Sequence, residues 1–140
     1  MLKELSLSGV GYTGEILFHG LDELATLSIM IWDLDSIDFV NQLTNLQNLT
    51  IAETFVQDLT PLANAHNLEI LNIMGTEVSD LTPLTNLQQL QELYISRTNV
   101  TSIQPLLGLD NLIYIVLDKN KVSDWELLLK AFPDLQIEAY

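Results

Sequence analysis

An interval of 22 residues governs this chain. Segments opening at Val56, Val78 and Val100 align without a gap as VQDLTPLANAHNLEILNIMGTE, VSDLTPLTNLQQLQELYISRTN and VTSIQPLLGLDNLIYIVLDKNK. One interval back, Leu34 opens LDSIDFVNQLTNLQNLTIAETF, and another step reaches Tyr12, which opens a weaker copy. The chain therefore divides into a partial coil 1–11, coils 12–33, 34–55, 56–77, 78–99 and 100–121, and a C-terminal capping coil 122–140, all within one domain. Apolar residues fall in seven columns, which in the coil from Val78 are Val78, Leu81, Leu84, Leu87, Leu90, Leu93 and Ile95. One such coil cannot bury its own apolar edge, so copies must stack on one another to make a core.

Within a coil, Leu93 and Ile95 alternate as inward residues of a short strand should. The remainder must return to the next strand. Thr60-Pro61-Leu62 and Thr82-Pro83-Leu84 suit a tight helical turn, with Pro at its first position and a cap from the Thr itself or from Asp58 and Asp80 two residues earlier. Gln104-Pro105 keeps the Pro without a good cap. After each strand come Thr54, Thr76, Thr98 and finally Asn120, whose side chains can satisfy backbone groups that the strand ladder leaves unpaired. Asp124–Phe132 reads as an amphipathic helix. Leu135 and Ile137 then read as a last strand arriving two residues early.

These copies, VSDLTPLTNLQQLQELYISRTNV above all, resemble the internalin-type leucine-rich repeats of Gram-positive surface proteins. The resemblance spans residues 2 to 137. It implies an α/β fold, a right-handed leucine-rich-repeat solenoid with a parallel concave β-sheet and short 3-10 or helical convex turns. It also implies recognition of a protein partner, often through aromatics exposed on the concave face. Three departures stand out: Thr replaces the usual Asn in three coils, Glu15 occupies an apolar column, and Trp32 takes the Thr place. Met1 begins inside a coil, which fits either an excised fragment or an irregular natural terminus. The first alternative implies the cell surface or the extracellular space, and the second the cytoplasm.

Charge narrows the partners. The formal net charge is −14, from 19 acids and 5 bases, and no Lys or Arg occurs between Lys3 and Arg97. Nucleic acids and anionic membranes require clustered cations, so neither is an expected partner. No apolar run approaches membrane-spanning length, and the N-terminus lacks the pattern of a signal peptide. The acidity serves solubility, or steers a basic partner towards the chain. Oligomeric state stays open, because an uncapped N-terminal strand can pair with a second chain.

Catalytic chemistry finds no foothold. There is no Cys, and His19 and His66 fall on returning segments without a nucleophile beside them. Asp33, Asp35 and Asp38 lack the ligand pattern of a calcium loop, and neither zinc spacing nor a phosphate-cradling glycine loop is present. No enzyme activity, cofactor or metal is expected.

The outward positions of the strands carry the candidate site. Its first row reads Glu4, Thr26, Asn48, Ile70, Glu92, Tyr114. The second reads Ser6, Ser28, Thr50, Asn72, Tyr94, Val116, with Gln136 in the shortened last coil. The third reads Ser8, Met30, Ala52, Met74, Ser96, Asp118. Small polar groups dominate early, whereas later strands gain Met74, Tyr94, Tyr114 and Val116, bordered by Arg97 and Lys119. Exposed aromatics and Met beside Arg are what an interface centre contains. The expected contact set is Ile70, Asn72, Met74, Glu92, Tyr94, Arg97, Tyr114, Val116, Asp118 and Lys119. A protein-binding module is the first reading; a structural spacer, or a small acidic cytosolic partner of the immunity type, is the alternative.

Overall fold

The computed structural model describes residues 1–9 and 18–140, so Tyr12 and Glu15 lie outside the described residues. Among the described residues, seven strands form one open sheet in chain order: β1 (Glu4–Gly9), β2 (Thr26–Ile31), β3 (Asn48–Thr50), β4 (Ile70–Asn72), β5 (Glu92–Tyr94), β6 (Tyr114–Leu117) and β7 (Gln136–Ala139). Every neighbouring pair is parallel. Leu5, Leu27, Leu49, Leu71, Leu93, Ile115 and Ile137 stand side by side in register. The 22-residue column is thus a physical row across the sheet.

Burial follows the columns. Leu49, Leu71, Leu93 and Ile115 are inaccessible to solvent, as are Ile51, Ile73 and Leu117 from the neighbouring column. On the opposite side the returning segments form 3-10 turns at Asp38–Gln42, Thr60–Leu62, Thr82–Leu84 and Gln104–Leu106. Their inward residues Val40, Leu62, Leu84 and Leu106 close the core from behind. This is a two-layer stack of coils, the leucine-rich-repeat solenoid the sequence leads one to expect.

The turns are capped by the residue two places before them. Asp58 Oδ1 accepts from the Thr60 N–H at 2.7 Å and Asp80 Oδ1 from the Thr82 N–H at 2.8 Å, with Ser36 and Ser102 doing the same for Asp38 and Gln104 at 3.2 and 3.3 Å. Gln104-Pro105 therefore has its cap after all, in Ser102. Thr60 lowers the Asp58 pKa through its hydroxyl and then its N–H, and Thr82 acts likewise on Asp80.

Two further hydrogen-bond series recur along the stack, one within coils and one between coils. Thr54, Thr76 and Thr98 are buried, and each hydroxyl donates to a carbonyl three residues back, on Ile51, Ile73 and Ile95, at 2.7–2.8 Å. Asn120 is exposed and does not continue the series. On the return side, Asn45, Asn67 and Asn111 each donate to a carbonyl of the preceding coil, on Asp22, Thr44 and Gln88, at 2.6–3.0 Å.

The last coil differs from expectation. A short helix α1 (Glu126–Ala131) replaces the 3-10 turn, with Leu128 buried against the core. The strand after it does not arrive early: Ile115 pairs with Ile137 and Leu117 with Ala139, so the interval of 22 is kept. The helical segment consumes the same number of residues as the turn and linker it replaces. The outward residues of β7 are consequently Gln136, beside Tyr114, and Glu138, beside Val116.

Candidate functional site

Strand alternation delivers two outward rows at the C-terminal end of the sheet. Ile70, Glu92, Tyr114 and Gln136 form one, and Asn72, Tyr94, Val116 and Glu138 the other. Ile70, Asn72, Met74, Glu92, Tyr94 and Tyr114 are half-buried, as side chains on the open face of a sheet are. Arg97 and Lys119 are exposed at the rim.

Val116 is the exception among the expected contacts. It is only 4% exposed, because Tyr94 and Glu138 flank it in its own row and Tyr114 precedes it on the same strand. It forms the floor beneath larger side chains and offers a partner almost nothing. Ser96, in the third row, is buried as well.

The two tyrosines meet across the strands, their ring centroids 5.5 Å apart with the planes tilted by 57°. Tyr94 donates its hydroxyl to Glu92 at 2.7 Å, and Tyr114 donates to Glu138 at 2.5 Å. Tyr140 also donates to Glu138. The Glu92 hydrogen bond, helped by burial and by surrounding negative charge, pushes the Tyr94 phenol up to about 12. Glu138 raises Tyr114 and Tyr140 in the same manner, and their hydroxyls in turn lower Glu138. Every phenol here is a proton donor held by a carboxylate. Beside the pair lies an open depression of about 350 Å³ lined by Glu92, Tyr94, Ile113, Tyr114, Asp134 and Gln136.

The rim is fixed by charge. Arg97 has φ +57, and its backbone N–H donates to Asp118 Oδ2 at 2.6 Å. Asp118 therefore holds the turn that displays Arg97. The Arg97 guanidinium pairs with Glu53, two coils away. Lys119 Nζ sits 5.3 Å above the Trp125 ring, and Lys121 Nζ donates to the Thr98 carbonyl at 2.9 Å. Outward-row reasoning did not single out Glu53, Ile113, Asp134, Glu138 or Tyr140. Glu138 becomes legible once the interval of 22 is carried through the last coil, whereas Glu53 reaches its partner through side-chain length that no periodicity reports.

Similarity to solved structures accords with this architecture. Internalin C2 from Listeria monocytogenes is 32% identical, with a TM-score of 0.78 over 86% of this chain. The chain is an internalin-type leucine-rich-repeat protein. Internalin F from the same organism shares its fold, at 22% identity and a TM-score of 0.76 over 99% of the chain. A leucine-rich-repeat protein from Leptospira interrogans is 25% identical, with a TM-score of 0.75 over 84%. This internalin-type chain spans 54%, 43% and 32% of the lengths of those three proteins, respectively. No family profile and no curated protein matches it. These relationships support a protein-interaction module in general. Among the described residues, no helix is long and apolar enough to cross a membrane.

Proposed function

We propose that this internalin-type solenoid binds a protein partner on the outward face of β4 to β7, centred on Tyr94 and Tyr114. The observation that carries this reading is the tyrosine pair itself: two aromatic rings in contact on adjacent strands, beside an open depression, on a face whose earlier strands carry mostly small and polar groups. Aromatic side chains supply much contact area at low entropic cost, and interface hot spots are enriched in them. Ile70, Asn72, Met74 and Glu92 extend the face, while Arg97 and Lys119 mark its rim.

The test is capture of a cross-linked partner by wild-type protein and by the Tyr94→Ala/Tyr114→Ala variant. The partner is lost from the variant, while its thermal melt stays close to wild type because neither ring belongs to the coil core. Equal capture by both would remove this face from the function and favour a spacer. We also take the chain to work within a bacterial surface or secreted protein, a reading supported by its relatedness to the Listeria internalins. Fractionation of the source cells that recovers the parent protein only from cytosol would refute it.

A further inference from the structure

The depression beside the tyrosines carries more negative charge than the phenolic hydrogen bonds there satisfy. Glu92 and Asp134 line it, and Glu138 adjoins it through Tyr114. Glu92 receives one phenolic hydrogen at 2.7 Å, which leaves most of the acceptor capacity of a carboxylate free. Among the described residues, no cation lines the depression. Three of the nearby cations are engaged elsewhere: Arg97 on Glu53, Lys119 over Trp125, Lys121 on the Thr98 carbonyl; Lys130, at the end of α1, is not among the lining residues.

On the premise that this face docks a protein, we propose that the depression receives a basic side chain of the partner, best an arginine. A guanidinium is planar. It can lie against the Tyr94 and Tyr114 rings while its N–H groups bind a carboxylate in a two-pronged fashion. Ile113, 55% exposed at the edge, offers apolar surface for the methylene stem of such a side chain. A bound divalent metal fits less well, because two carboxylates and one amide fall short of the six to eight oxygens that calcium takes. The chain as a whole, at −14, attracts basic surfaces over long range; the depression supplies the geometry that makes one point of contact specific.

The probe is the capped tripeptide acetyl-Gly-Arg-Gly-amide, titrated into isotope-labelled protein by NMR alongside its citrulline counterpart, which keeps the shape and loses the charge. The arginine peptide shifts the amides of Glu92, Tyr94, Ile113, Tyr114 and Gln136 saturably, and the citrulline peptide does so at least about tenfold more weakly, as loss of a charge-assisted hydrogen bond implies. Glu92→Gln with Asp134→Asn abolishes the difference between the peptides. Equal shifts from both peptides, or arginine-induced shifts scattered over all the acidic coils, would overturn the proposal. Its failure is separable from that of the docking face. If the arginine peptide fails but Tyr94→Ala/Tyr114→Ala still loses the partner, the face stands and the basic side chain falls. If the peptide seats as described while the tyrosine variant captures partner normally, the pocket stands and the docking centre lies elsewhere.

Discussion

Glu53 and Arg97 form an ion pair across an entire intervening coil, over the backbone of Gly75. All three occupy the same place in successive coils, and all three adopt positive φ, at 58, 68 and 57°. Only the middle one lacks a side chain. A Cβ on Gly75 would lie 2.6 Å from Glu53 Oε2, so the glycine opens the path along which the carboxylate travels.

Gly75→Ala should therefore do two things. It displaces the Glu53 carboxylate, and it puts a Cβ into the left-handed region at a cost of about 1–2 kcal/mol. Glu53→Ala alone should cost no more than about 1 kcal/mol, the usual range for an exposed pair. Urea melts of the two variants check the order; a Gly75→Ala protein as stable as wild type would contradict it.

The buried threonine ladder gives a sharper contrast. Thr76→Val keeps the shape but removes the 2.7 Å hydroxyl donor from the Ile73 carbonyl, leaving it only the Thr76 N–H at 3.3 Å, and should destabilise by about 0.5–1.5 kcal/mol. Thr76→Ser retains the hydroxyl and should recover most of that loss in the same melt.

Alkaline titration reports the tyrosine cluster. Tyr94, pushed up to about 12 by Glu92, burial and nearby negative charge, holds its proton more tightly folded than unfolded, where a phenol titrates near 10. Its stabilising contribution is complete below about pH 10 and is lost as pH rises from there to about 12. Phenolate absorbance should show late ionisation at Tyr94 beside the likewise raised Tyr114 and Tyr140, and Glu92→Gln should bring the Tyr94 step down towards about 10.

Acid probes the other side of the coil. Asp80, lowered by Thr82 through its hydroxyl and then its backbone N–H, binds its proton less readily when folded. Its contribution is present above its ordinary pKa of 3.8 and is lost as pH falls through the depressed value. Asp80→Asn keeps an acceptor for Thr82 but should flatten that part of the acid-unfolding curve, whereas Asp80→Ala should lower the melting temperature at neutral pH.

Much of the architecture was legible because core columns repeat: Leu49, Leu71 and Leu93 must bury the same edge in every coil, so their spacing is the fold. The last coil was misread for a local reason. Leu135 and Ile137 alternate as convincingly as Ile137 and Ala139, and only pairing with Ile115 selects the second choice. The tyrosines were legible as outward residues, and Val116 was misjudged because alternation gives direction without the size of its neighbours. Asp58 and Asp80 were visible as caps, but choosing them over the threonines required distances. The Glu53–Arg97 pair was beyond reach, since it depends on what Gly75 lacks.

Because β7 keeps step with β6 despite the helix that precedes it, length in this molecule comes in interchangeable modules. Excising 56–77 would join Phe55 to Val78 with every column intact and seat Glu53 directly beside Arg97. The Tyr94–Tyr114 distance would not change. A lineage could therefore slide its contact point nearer to or farther from either end of the stack by duplicating or dropping a module, without redesigning the contact point itself.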